Sequence, residues 1–287
     1  MPLGWRALVA GVLAMLATIG SGPQARAGTP GPLVWMINTK ALALLGAEPG
    51  GAALIAQFFN NPDTYVMAPR DQLSQVPPRA VAVINFPSFR AFRAATYAGR
   101  IDARYGAVLY DCEAWAATPV VEQKNPVYYY GLAAALAHRH GLKLIAAPAT
   151  TLRKVLLKPT GPDTYPPFMK TGIVGPIAKV ADIFEIQSQG LLPQPDKYVD
   201  LVRDAAAEAR GANSGVVFLA GLSTNPSGRK VTKTGLVDAV VRTRALVAGY
   251  WLNIPVNSAF CQACGQVHPE VATGLLRELQ NDGLARH

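Results

Sequence analysis

The chain has 287 residues, half of them hydrophobic and only 16% charged, with 27 Lys and Arg against 18 Asp and Glu for a formal net charge of +9. A composition this apolar excludes a disordered chain, and three cysteines are too few for a disulfide-built scaffold. Beyond the N-terminus no apolar run approaches the roughly 20 residues that a membrane helix needs.

The first 27 residues read as a secretory signal. Arg6 supplies a positive start, the stretch from Ala7 to Ile19 is apolar, and Ala25, Arg26 and Ala27 form a small-x-small cleavage site. Gly20, Ser21, Gly22 and Pro23 interrupt the apolar run too early for a span, and no cysteine follows it to carry a lipid, so no stable membrane anchor is expected. The expected mature protein is residues 28–287, a secreted, extracellular domain whose net charge drops from +9 to +7 with the loss of Arg6 and Arg26. Its positive residues are dispersed, without the basic and aromatic interleaving of a nucleic-acid module, and no nucleic-acid partner is expected. A basic exported protein is nonetheless attracted to acidic polymers.

Along the mature chain, short runs rich in β-branched, aliphatic and aromatic residues alternate with stretches of helical spacing. The spacing predicts a strand at 33–38, a helix at 51–59, and strands at 64–68, 80–86 and 107–111. A helix at 126–140 leads to a strand at 142–147, and a helix at 150–157 to a strand at 182–187. Helices at 197–210, 234–247 and 269–281 alternate with strands at 215–220 and 249–254. The connection between the second and third strands is too short for a full helix. Asn125 before Pro126, and His268 before Pro269, mark helix starts, with Asn125 expected as a side-chain cap. Residues 158–170, with four prolines, are expected to form an ordered loop over one face. Eight strands alternating with helices over 260 residues predict an α/β fold, a single (β/α)8 TIM-type barrel, with a doubly wound open sheet as the alternative.

Such barrels build their sites at the carboxyl ends of the strands. The fourth strand ends in Asp111, Cys112 and Glu113; alternation puts Leu109, Asp111 and, with continued extended geometry, Glu113 on one face. Two acids in one apolar-walled cleft separate their pKa values, so one stays protonated to donate to a leaving oxygen while the other is ionised, as glycosidic cleavage requires. Glu185, Gln187 and Gln189 share a face of the sixth strand, and Trp251 and Asn253 a face of the eighth. Asn38 and Asn85 end the first and third strands, and Trp115 follows Glu113. Inward amides and acids are costly without polar partners, and an indole offers a sugar ring a flat apolar face with an N–H to spare. The competing roles are ordinary: Asp111 capping a turn or pairing with an Arg, Glu113 in solvent, the tryptophans in the core.

Asp111 and Glu113 resemble the end of the Asp-x-x-Asp-x-Asp-x-Glu motif on the fourth barrel strand of chitinase-type and endo-N-acetylglucosaminidase-type glycoside hydrolases, and Trp251 resembles the tryptophan ending their last strand. The resemblance implies Glu113 as general acid and Asp111 as the residue that orients a substrate acetamido group acting as nucleophile. Gly106 and Leu109 stand where that motif has its two earlier aspartates. The chain as a whole resembles secreted proteins of actinobacteria. Without acetamido assistance, Glu113 would be the acid and Glu185 or Asp111 the nucleophile or base, a carboxyl separation of about 5 Å implying retention and about 6.5–9.5 Å inversion.

Cys261 and Cys264, four residues before His268, lack the second ligand pair of a zinc site; a local disulfide between them is favoured, with a Cys112 bridge to that loop or a nucleophilic Cys112 as alternatives. His138 and His140, late on a helix before the fifth strand, fall toward the opposite barrel face, out of reach as general bases. The residues at 223–228 are expected to form a turn of Asn-Pro and Ser-Gly type, with binding of a phosphate or sugar hydroxyls through its amides as the alternative. No Gly-x-Ser-x-Gly elbow, phosphate loop or His-Glu-x-x-His is present, and neither a metal nor a cofactor is expected. The sequence thus predicts a glycoside hydrolase acting on an extracellular glycan or cell-wall polymer with Glu113 as general acid. The alternative is a non-catalytic carbohydrate- or cell-wall-binding barrel; a hydrolase of phosphorylated or lipidic substrates has only the basic charge behind it.

Overall fold

The computed structural model describes residues 32–158, 161, 163–257 and 264–283. The expected signal segment at 1–27, parts of the 158–170 loop and Cys261 lie outside these residues.

Eight strands close into a parallel barrel in sequence order. They are β1 (Val34–Asn38), β2 (Thr64–Met67), β3 (Val81–Phe86), β4 (Tyr105–Tyr110), β5 (Lys143–Ala146), β6 (Ile183–Ile186), β7 (Val217–Ser223) and β8 (Gly249–Asn253). All eight expected strands are present. The helices are α1 (Thr39–Ala47), α2 (Gly51–Phe58), α3 (Phe89–Tyr97), α4 (Val120–Lys124), α5 (Pro126–Arg139), α6 (Arg153–Leu156), α7 (Val174–Ala178), α8 (Pro195–Ala212), α9 (Lys233–Thr243) and α10 (Pro269–Asn281). The ordering of strand and helix makes this a (β/α)8 barrel rather than an open sheet.

Alternation along each strand divides the core. Met36, Tyr65, Met67, Val83, Leu109, Ile145, Ile183, Leu219 and Trp251 fill the inside of the barrel. The opposite faces pack against the helices, as Trp35, Val66, Val108, Leu144, Phe184, Phe218 and Tyr250 do. At the seam, Val34 pairs with Gly249 and Met36 with Trp251. A Cβ on Gly249 would lie 1.8 Å from the Val34 carbonyl oxygen, so only glycine lets β8 approach β1 this closely.

Local chemistry sets the helix starts. Asn38 ends β1 and caps α1, its Oδ1 accepting from the Ala41 N–H at 2.7 Å. Ser88 caps α3 through the Ala91 N–H at 3.1 Å. Pro126, Pro195 and Pro269 open α5, α8 and α10, where the missing N–H costs no helical hydrogen bond. Asn125 departs from expectation: its side chain does not cap α5 but donates from Nδ2 to the Val121 carbonyl at 2.9 Å. The helix expected at 150–157 is a 3-10 turn, Thr150–Leu152, running into the short α6. Between β2 and β3 a 3-10 turn, Arg70–Gln75, replaces the usual covering helix. The longest helix, α8, has 18 residues, and among the described residues no helix is long and apolar enough to cross a membrane.

Candidate active site at the barrel mouth

Backbone pairing carries β4 beyond its last regular residue. The Asp111 N–H donates to the Phe86 carbonyl at 3.0 Å, and the Tyr110 and Cys112 carbonyls accept from Ala147 and Ala149 at 3.2 and 3.0 Å. Asp111 therefore keeps the inward direction of Leu109 and stands at the carboxyl-terminal mouth. Gln187 holds it there, its Nε2 donating to Asp111 Oδ1 at 2.7 Å and to the Ala147 carbonyl at 3.3 Å.

Glu113 is half-buried, and its N–H donates to Thr118 Oγ1 at 3.3 Å. The loop around it is pinned by its own side chains: Trp115 Nε1 donates to Thr118 Oγ1 at 2.7 Å, and Gln123 Nε2 donates to the Trp115 and Thr118 carbonyls at 2.8 and 2.7 Å. Trp115 is thus a strut of the β4 loop, its indole N–H engaged within the protein.

Glu185, from β6, is fully buried, and neither carboxyl oxygen has a hydrogen-bond partner. Gln189 Oε1 and Trp251 Nε1 are likewise buried and unpartnered. Glu185 and Gln189 converge over Gly221 of β7, where a Cβ would fall 2.9 Å from Glu185 Oε1 and 2.2 Å from Gln189 Oε1. Gln189 arrives there from a 3-10 turn, Gln189–Leu191, because β6 ends at Ile186; the expectation of a continuous strand face through Gln189 is corrected.

All three carboxyl groups are shifted upward. Burial raises the pKa of Asp111 well above the usual carboxylate value; the Glu113 charge adds to this and the Gln187 amide opposes it. Burial also raises Glu113. Glu185 is raised chiefly by burial and then by the charges of Asp111 and Glu113. A buried carboxyl without donors is favoured in its neutral form, since the charged form has lost its water and gained nothing.

Before this cluster lies a cavity of about 620 Å³ whose wall includes Asn38, Met67, Asn85, Asp111 and Trp251. Ile84 and Phe86, on the other face of β3 from Val83 and Asn85, also line it, so the cavity passes over the β3 rim where the β2–β3 connection has no α-helix. Of the expected site residues, Asp111, Trp251, Asn38 and Asn85 meet at this wall, although Asn38 also spends its side-chain oxygen on the α1 cap. Glu113, Glu185, Gln187 and Gln189 gather around Asp111 and Gly221. Asn253 ends β8 half-buried, its carbonyl accepting from the Thr224 N–H at 3.1 Å.

Sequence reasoning missed the groove's outer wall, Lys40, Arg70 and Gln72, because those residues follow strands whose loops had no recognisable motif. It also missed Glu122, a buried carboxylate that accepts from the Phe89 and Arg90 N–H groups at 2.7 and 3.0 Å and from the Tyr110 hydroxyl at 2.7 Å. Glu122 completes the N-terminus of α3, a structural task for which its sequence neighbourhood holds no signal.

The thiol alternatives resolve differently. Cys112 is a buried free cysteine, so a Cys112 bridge is excluded, and burial pushes its thiol up to about 12, far from a reactive thiolate. Cys264 is not a free thiol, while Cys261 lies outside the described residues. His138 sits beyond the amino-terminal ends of the strands, its Nε2 2.8 Å from Asp182 Oδ2, on the far side from the mouth. Among the described residues no group of three or more His, Cys, Asp or Glu side chains is placed to hold a metal ion.

Fold and mouth together define a (β/α)8 barrel with a buried carboxyl cluster at its carboxyl-terminal face. Solved structures with this architecture include a sugar phosphate isomerase/epimerase from Parabacteroides distasonis, 9% identical over 90% of this chain and 97% of that one, with a TM-score of 0.51. Others are a class V chitinase from Pseudomonas fluorescens (11% identity, 87% and 99% of the chains, TM-score 0.48) and a chitinase from Chromobacterium violaceum (13%, 89% and 100%, 0.46). At these identities the likeness is one of fold. No protein-family model and no curated protein matches the chain.

Proposed function

We propose that this protein is a secreted glycoside hydrolase that cleaves an extracellular glycan, with Glu113 as general acid and Asp111 as the second carboxyl group. The observation that carries the reading is the convergence of Asp111, Glu113 and Glu185 at the mouth, where burial raises all three and neighbouring carboxyl charge raises Asp111 and Glu185 further. A general acid must hold its proton near the working pH and release it to the leaving oxygen, which a raised carboxyl does and an ordinary one does not.

Each group has a distinct setting. Glu113 is the least buried of the three, half-buried where Asp111 and Glu185 are buried, and so the one best placed to exchange its proton with water. Asp111 lies on the cavity wall and is oriented by Gln187, as a group that must meet the anomeric carbon, a water or a substrate amide requires. Glu185, buried beside Gly221, is held toward its neutral form by burial and by the charges of Asp111 and Glu113. Trp251 offers the sugar an apolar face and an unpartnered N–H.

The test is incubation of residues 28–287 with chitin oligosaccharides, peptidoglycan and a panel of plant and microbial glycans, reading products by mass spectrometry. Wild type is expected to release products, and Glu113→Gln and Asp111→Asn each to lower kcat by about 100-fold or more. Binding with no turnover by wild type, unaffected by Glu113→Gln, would establish the non-catalytic carbohydrate-binding reading instead.

A further inference from the structure

The groove is charged unevenly. Asp111 is the acidic side chain on its described wall, at the inner end, while two cations, Lys40 and Arg70, stand on the same wall. Lys40 is the second residue of α1, just after β1, and Arg70 opens the 3-10 turn that follows β2 after Ala68 and Pro69. Their pairing is slight: among the described residues Lys40 has no ion pair, and Arg70 has a long, exposed one to Asp102 at 3.7 Å, its side chain 67% exposed. Asp102 is already engaged by Arg104, whose Nε and Nη2 donate to its two oxygens at 2.9 Å each.

The groove also has an outlet. Where a barrel of this kind ordinarily covers the outside of β3 with the preceding helix, the 3-10 turn leaves Ile84 and Phe86 on the cavity wall. A ligand held at Asp111 and Trp251 can therefore continue over the β3 rim instead of ending inside the mouth. At its inner end the Trp251 N–H is buried, unpartnered and suited to an acceptor oxygen.

We infer that the groove takes an anionic glycan chain, a polysaccharide bearing carboxylate, sulfate or phosphate groups, whose charged units beyond the cleavage point lie against Lys40 and Arg70. The inference rests on the glycan-cleaving reading and specifies its substrate class. One unpaired and one weakly paired cation beside an apolar, open-ended wall select against a neutral polymer only weakly but favour an anionic one through both attraction and steering, and the net charge of +7 expected for residues 28–287 acts in the same sense at longer range.

The experiment compares matched oligosaccharides: neutral, uronate-bearing, and sulfated or phosphorylated. Each is assayed for binding and for turnover with wild type, Lys40→Ala/Arg70→Ala, and the charge-retaining Lys40→Arg/Arg70→Lys. Wild type is expected to prefer a charged series over the neutral one, with the alanine pair losing about tenfold of that preference and the charge-retaining pair keeping most of it. The preference should shrink as salt rises past about 0.1 M, where the screening length is about 10 Å. Which charged series leads identifies the anion. Equal handling of neutral and charged glycans by wild type, or a preference that survives the alanine pair, overturns the anionic assignment while leaving glycan cleavage standing. Failure to bind or cut any of them overturns the glycan reading itself.

Discussion

At the scale of single residues, Glu185 is a carboxyl group cut off from water. It is fully buried with both oxygens unpartnered, and its pKa is raised from 4.5 by burial and by the neighbouring Asp111 and Glu113. Below pH 4.5 the folded and unfolded chains both hold this proton and no cost arises. As pH climbs above 4.5 the unfolded chain ionises while the folded one keeps its proton, and stability falls by about 1.4 kcal/mol per pH unit until the folded group also ionises. Glu185→Gln removes the titration at nearly constant shape. Thermal unfolding is expected to show the variant more stable than wild type at pH 7, with the advantage vanishing near pH 4. An advantage that does not change with pH would mean Glu185 carries no raised proton affinity in the folded chain.

At the scale of elements, the β1–β8 seam is a tightly confined contact. Gly249 faces backbone, not a side chain that can rotate away, so Gly249→Ala pushes β8 off β1 and is expected to cost about 3 kcal/mol or more, read as a lowered denaturation midpoint. A midpoint within error of wild type would show that the seam can open to admit a methyl group. The strands were legible from composition because each is a short apolar run bounded by turn residues. Helices announced by a proline, α5 and α10, began where expected, and α8 began two residues before the expected start. The missed ones had weaker punctuation. Asn38 serves at once as the last residue of β1 and the cap of α1, leaving no loop to mark the boundary. α3 depends on Glu122, 33 residues after Phe89, to satisfy its first N–H groups, which no local window reveals.

At the scale of the whole molecule, closure was readable from the count and order of strands, and so was the short connection after β2. Its consequence, a groove running over β3, was not, since it depends on Lys40, Arg70, Ile84 and Asp111 meeting across three loops. The Asp111 and Glu113 pair was legible because strand alternation is a local rule; the burial of Glu185 behind Gly221 depends on the register of β6 against β7. Cys112, between the two proposed catalytic acids, gives this architecture a clock. Its sulfur is sealed under the outer shell and its thiol is held protonated to about 12. A thiol-alkylating reagent at neutral pH should therefore leave the native protein unmarked at this position for as long as the barrel stays shut, and label it at once in denaturant. The slow rate at which Cys112 is modified without denaturant would count the moments when β4 and its neighbours part, and rapid modification of the native chain would show that the mouth breathes.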